Sequence, residues 1–127
     1  MRQPLQTAGA PNALGTYSQA IVAGGTLYLS GQIGLDPATG QLVEGFEAQA
    51  HRVFRNLQAV AEAGGARLDD AVRLTVFLVD LAQFPQLNEI MAQYFSRPYP
   101  SRSTVQVAAL PKGAEVEVDA ILVTSPA

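Results

Sequence analysis

SRSTVQVAALPKGAEVEVDA, residues 101–120, holds parts of two short strands, expected at 104–107 and 115–123. On the second, Val116, Val118, Ala120 and Leu122 alternate with Glu115, Glu117 and Asp119. A strand of period two therefore carries the apolar residues on one face and three carboxylates on the other. Arg102 stands at the mouth of the first strand, and its guanidinium is a planar fork of donors suited to gripping a carboxylate or phosphate at two points. A fixed cation with a carboxylate on an adjacent strand is the raw material of a small anionic-substrate site. It is also what a plain cross-strand ion pair looks like, and such pairs outnumber sites.

Upstream, residues 1–15 carry Pro4, Gly9, Pro11 and Gly15 with little periodicity and read as an irregular arm. SQAIVAGGTLYLSGQIG (18–34) gives two strands around Gly24-Gly25, the second running 26–32. LDPATGQLV (35–43) reads as a turn leading to a brief strand. Phe46, Ala50, Val53, Phe54, Leu57, Val60 and Ala61 form one helical stripe over 46–63, stopped by Gly64-Gly65. AVRLTVFLV (71–79) has the composition of a strand buried on both faces. A second helix is expected over 84–95, with Pro85 near its start. The order predicts an α+β fold, one mixed sheet with both helices on one side. No third layer is encoded for the other face, so an apolar patch would remain uncovered unless copies of the chain associate through it.

The 127 residues fit one domain, 1–127, with enough length for a core, and 48% hydrophobic with 15% charged residues describe a folded chain. No cysteine is present, which excludes disulfides, thiolate nucleophiles and Cys-based zinc sites. Neither a signal-peptide core nor an 18-residue apolar run occurs, so the reading is of a soluble cytoplasmic protein without a membrane partner. A net charge of −3, with eight scattered basic residues and Lys112 the only lysine, gives no nucleic-acid surface.

Neither a dinucleotide-binding nor a P-loop glycine pattern occurs. His51, the only histidine, falls on the exposed stripe of the first helix and reads as solvated; it makes neither a metal site nor a Ser-His-Asp triad. Tyr17, Ser30 and Asn88 interrupt apolar surroundings near turns. Taken singly, each is read as a satisfied structural residue.

Together they form a pattern. GTYSQA (15–20), YLSGQIGLDPATGQLV (28–43), NEIMAQYF (88–95) and the 101–120 stretch closely resemble the RidA (YjgF) family of enamine/imine deaminases over nearly the whole chain. The resemblance implies a chorismate-mutase-like α+β fold and a homotrimer with ligand clefts between subunits. It also implies hydrolysis of 2-imino and 2-enamino acids, such as 2-aminoacrylate, to 2-keto acids and ammonia without metal or organic cofactor. By position, it implies that Arg102 holds the substrate carboxylate and Glu117 orients or activates the attacking water. Tyr17, Ser30, Gly31, Asn88 and Thr104 would line the cleft. Two positions depart from the family pattern: Thr16 where proline is usual, and Thr104 where many bacterial members have cysteine. The alternative is a non-catalytic trimer that binds a small carboxylate such as a 2-keto acid. RNA cleavage, a label some relatives carry, is opposed by the acidic charge balance.

Overall fold

Alternation and helical periodicity become six strands and two α-helices, in a computed structural model that describes residues 1–124. In chain order they are β1 (Arg2–Leu5), β2 (Ala20–Ala23), β3 (Thr26–Gln32), α1 (Phe46–Ala63), β4 (Ala71–Leu78), α2 (Phe84–Met91), β5 (Ser101–Gln106) and β6 (Val116–Val123). The strands form one sheet in the order β1-β2-β3-β6-β4-β5. Only β4 and β5 are parallel, which requires the crossover that α2 supplies. No helix among the described residues is long and apolar enough to cross a membrane.

One face of the sheet is the core. Leu27, Leu29, Leu74, Val76, Leu78, Val116, Val118, Ala120 and Leu122 are buried there against Ala50, Val53, Phe54, Leu57, Val60 and Ala61 of α1 and Leu87, Ile90 and Met91 of α2. Among the described residues, no layer lies over the other face in the single chain. Tyr28, Val105 and Val123 are exposed on it, and Phe77 and Ile121 half-exposed. β4 accordingly alternates between buried and half-exposed residues, so the reading of a strand covered on both faces does not hold for one copy of the chain.

The N-terminal arm is irregular only beyond Leu5. β1 pairs with β2 from Arg2↔Ala23 to Leu5↔Ala20, and the segment after it is held by the buried Gln19. The Gln19 Oε1 accepts from the Thr7 N–H at 2.8 Å. Its Nε2 donates to the carbonyls of Thr7 (3.0 Å), Ala10 (3.4 Å) and Pro11 (2.8 Å). Replacing this side chain leaves those backbone groups to find water or remain unpaired. Gln19→Ala is therefore expected to lower stability by about 2–3 kcal/mol, read as a shift in urea midpoint at fixed protein concentration. A shift equivalent to less than about 0.5 kcal/mol would mean that the loop is held by other contacts.

Three further differences concern element ends and α1. The brief strand near 41–43 is a single bridge, Leu35↔Leu42, closing a turn in which the Asp36 side chain caps the Ala38 N–H. α2 stops at Met91 and unwinds through tighter turn bonds, Gln93 N–H to Ile90 O and Tyr94 N–H to Met91 O, instead of continuing to Phe95. His51 is half-buried, with Nδ1 2.7 Å from the Tyr94 hydroxyl and the two rings tilted together. It is a structural link between α1 and the segment after α2, not a solvated residue.

Candidate active site

The bond pattern of β3 decides where the polar residues of the SGQ run point. Leu29 lies opposite Ala120 and Gln32 opposite Val118, so β3 carries one residue more than β6 over this interval, a β-bulge. Leu29 and Gln32 both face the core, and Ser30 and Gly31 are the residues displaced by the bulge. The Ser30 N–H donates to the Gln19 carbonyl at 3.0 Å, and the Ser30 Oγ donates to the Ser18 carbonyl at 2.6 Å. The serine O–H is thus engaged in holding the 17–19 segment, and the hydroxyl could meet a ligand only as an acceptor.

Gly31 stands against Glu117. A Cβ on Gly31 would come within 2.5 Å of the Glu117 Oε2, so only glycine leaves room for the carboxylate in its present place. Glu117 lies on the open face of β6, in register with Phe77. Burial, with the like-charged Asp119 beside it, raises its pKa above the usual glutamate value. A cavity of about 390 Å³ opens in front of it, lined among others by Tyr17, Gly31, Pro111, Lys112 and Glu117. Tyr17 is exposed, and its hydroxyl accepts a long bond from the Leu14 N–H at 3.4 Å. Lys112 sits in the Pro111–Gly113 turn at φ 58°, a left-handed conformation unusual for a side-chain-bearing residue. Sequence reasoning did not place Lys112 at this cavity.

Arg102 is elsewhere. β5 pairs only with β4, so β6 is not its neighbour, and the expectation of a carboxylate on an adjacent strand fails. Arg102 is in register with Leu74 and, beyond it, Ala120, both core residues, so its side chain leaves the sheet on the helix side. Glu117 leaves it on the opposite side. The two residues are separated by two strand spacings and three residues along the strand, on the order of 14 Å between their Cα atoms. Neither the cross-strand ion pair nor a one-chain site containing both groups is present. The one ion pair among the described residues is Arg67–Asp70.

Arg102 meets α2 instead. Its Nη1 donates to the Asn88 Oδ1 at 2.7 Å and to the Met91 Sδ at 3.5 Å, and its Cζ lies 4.9 Å from the centre of the Phe84 ring. Asn88 is therefore spent on Arg102 through its amide oxygen. Two cavities are lined by Arg102. One of about 400 Å³ is lined by Asn88, Met91, Ala92, Tyr99, Pro100 and Arg102. The other, of about 450 Å³, is lined by Leu81, Phe84, Arg102 and Thr104. Among the described residues, the buried Thr104 Oγ1 has no hydrogen-bond partner. Phe84 and Met91 were not singled out from the sequence, although 84, 88 and 91 follow the i, i+4, i+7 spacing of one helix face.

The residues expected at the site thus fall into two separate groups: Arg102, Asn88 and Thr104 on the helix side at the sheet edge, and Tyr17, Gly31 and Glu117 on the open side, with Ser30 bracing the loop of Tyr17. Among the described residues no cluster of His, Asp or Glu could hold a metal ion.

Residues 7–124 match the family described as endoribonuclease L-PSP. A human protein named 2-iminobutanoate/2-iminopropanoate deaminase is 43% identical over 99% of this chain and 93% of its own length. A crystal structure of RidA from an Antarctic Psychrobacter is 53% identical, covers 96% of this chain and 99% of its own, and superposes with a TM-score of 0.94. The E. coli protein TdcF, solved with bound serine, is 37% identical over 97% of this chain and 99% of its own, with a TM-score of 0.92. With the family pattern spanning nearly the whole sheet and both helices, the chain belongs to the endoribonuclease L-PSP family, the family of the RidA proteins.

Proposed function

We propose that this chain is a cytoplasmic enamine/imine deaminase that hydrolyses 2-iminobutanoate, 2-iminopropanoate and its enamine tautomer 2-aminoacrylate to 2-keto acids and ammonia, without a cofactor. The site lies between copies of a homotrimer. Arg102, Asn88 and Thr104 of one copy meet Tyr17, Ser30, Gly31 and Glu117 of the next.

The observation that carries this reading is that Arg102 and Glu117 do not neutralise each other. They stand on opposite faces of one sheet, each beside its own cavity. The uncovered sheet face, with Tyr28, Val105 and Val123 exposed, supplies the apolar surface through which copies would associate. The relatives named as 2-iminobutanoate/2-iminopropanoate deaminases support the substrate class. TdcF with bound serine shows that a relative takes a small carboxylate of that size. The description of the family as an endoribonuclease finds little support in a chain of net charge −3 whose single histidine is engaged with Tyr94.

The chemistry asks for few groups. A 2-imino acid is already electrophilic at C2. Arg102 fixes the carboxylate, which is most of the catalytic contribution through positioning. Glu117 accepts a proton from water as its oxygen adds to C2 and returns it to the imine nitrogen, giving a carbinolamine. A second proton, taken by Glu117 from the carbinol hydroxyl and passed to nitrogen, lets ammonia leave as the C–N bond breaks and the carbonyl forms.

A non-catalytic carboxylate binder would use Arg102 in the same way but has no need of Glu117. The deciding experiment adds the purified protein to a threonine dehydratase reaction with semicarbazide present. Deaminase activity suppresses semicarbazone formation from the imine; a binder leaves it unchanged. Light scattering is expected to give three times the chain mass of 13.4 kDa. A monomer at micromolar concentration would remove the inter-copy site.

A further inference from the structure

We propose that Phe84 is a positioning residue that fixes which edge of Arg102 is offered to the substrate carboxylate, an inference that rests on the deaminase reading above. Arg102 projects from an edge strand on a long, flexible side chain, so something must hold its guanidinium plane in place. Three residues on one face of α2 do so. Asn88 and Met91 together engage both N–H bonds of Nη1 through the amide oxygen and the thioether sulfur. The Phe84 ring lies against the flat face, its centre 4.9 Å from Cζ, where a cation is attracted to the π cloud.

Among the described residues, Nε–H and Nη2 have no hydrogen-bond partner. Those two donors form the side-on edge of the guanidinium, which matches the two oxygens of one carboxylate. Phe84 closes one face of the plane and also walls the cavity that Arg102 shares with Thr104. The buried, unpartnered Thr104 Oγ1 in that cavity is a further polar atom for a ligand oxygen. A carboxylate entering there meets a guanidinium that can neither rotate about Nε–Cζ nor turn its plane without leaving the ring.

The test compares the full chain with Phe84→Leu and Phe84→Tyr in three measurements: imine hydrolysis, calorimetric binding of 2-ketobutyrate, and ¹⁵N relaxation of the Arg102 Nε–H. Phe84→Leu is expected to raise KM and the Kd for 2-ketobutyrate about five- to tenfold, with kcat changed less than about twofold. The Arg102 Nε–H should pass from restricted to mobile. Phe84→Tyr, which keeps the ring face, should restore all three. Should Phe84→Leu fail to fold, Phe84→Met removes the ring at similar bulk and is read in the same way. A ring that served stability alone would lower the melting temperature and the active fraction while leaving KM, Kd and Arg102 relaxation at wild-type values; that result overturns the inference while the deaminase reading stands. A wild type that neither hydrolyses imine nor binds 2-ketobutyrate overturns the deaminase reading, and the inference with it.

Discussion

Arg102→Ala is expected to reduce imine hydrolysis on the order of 10²–10³-fold or more, the loss of a two-point, charge-assisted grip on a small substrate with few other handles. The fold and the assembled mass should be unchanged, because Arg102 belongs to an edge strand and its contacts with Phe84, Asn88 and Met91 are side-chain contacts on the periphery of the core. Arg102→Lys is the sharper variant. Lysine keeps the charge but offers a point cation in place of a planar fork, and it cannot donate from one plane to two carboxylate oxygens while also reaching Asn88. It should therefore recover only part of the lost rate. Wild-type rates in Arg102→Lys would show that the carboxylate is held by something else.

Glu117→Gln should lower kcat by on the order of 10²-fold with little change in affinity for a 2-keto acid product. The substitution keeps shape and hydrogen bonding but removes proton acceptance. The neighbourhood makes the test clean, since Gly31 leaves space for a planar head group of that size and no cation pairs with the carboxylate among the described residues.

The pH dependence follows from the raised pKa, which burial causes first and Asp119 second. A glutamate in the proposed role of base must be ionised, so wild-type kcat should begin to fall on acidification at a pH above the ordinary glutamate range. The glutamine variant should lack that limb. Stability has the opposite sign: an acid whose folded pKa lies above its unfolded value binds its proton more tightly when folded. Its contribution to stability therefore declines as pH rises from the unfolded value through the raised folded one. Glu117→Gln should then be neutral or slightly stabilising at neutral pH, so a lost rate would not report lost fold. An unchanged kcat with weakened ligand affinity would instead make Glu117 a structural residue and require another base.

Much of this chain could be read locally. The alternation from Val116 to Leu122 set both the strand and the face on which Glu117 lies, because side chains on a strand alternate whatever its neighbours are. The stripe from Phe46 to Ala61, with Gly64-Gly65 after it, set the bounds of α1, and Gly24-Gly25 set the hairpin. The spacing of GTYSQA, SGQIG and the 101–120 stretch was enough to point to the family that the sequence matches.

What sequence alone did not reveal is which groups meet. Arg102 and Glu117, 15 residues apart, look like partners on neighbouring strands, but β4 lies between β5 and β6, and the register across the three strands puts their side chains on opposite faces. The choice of hydrogen-bonding neighbour depends on where α2 carries the chain, and no local period encodes that. β1 was missed because four residues containing a proline have no legible alternation and gain a partner only from β2. The bulge at Ser30-Gly31 exists only as a mismatch between two strands, and it is this mismatch that sets the Gly31 backbone against Glu117. Asn88 shows the same division: its position on a helix could be read from spacing, but its role depends on the guanidinium that the crossover brings within 2.7 Å of its amide oxygen. Periodicity is a property of successive residues, whereas a site is a set of distances between segments remote in sequence, and those distances are fixed only when the sheet order and the helix crossing are.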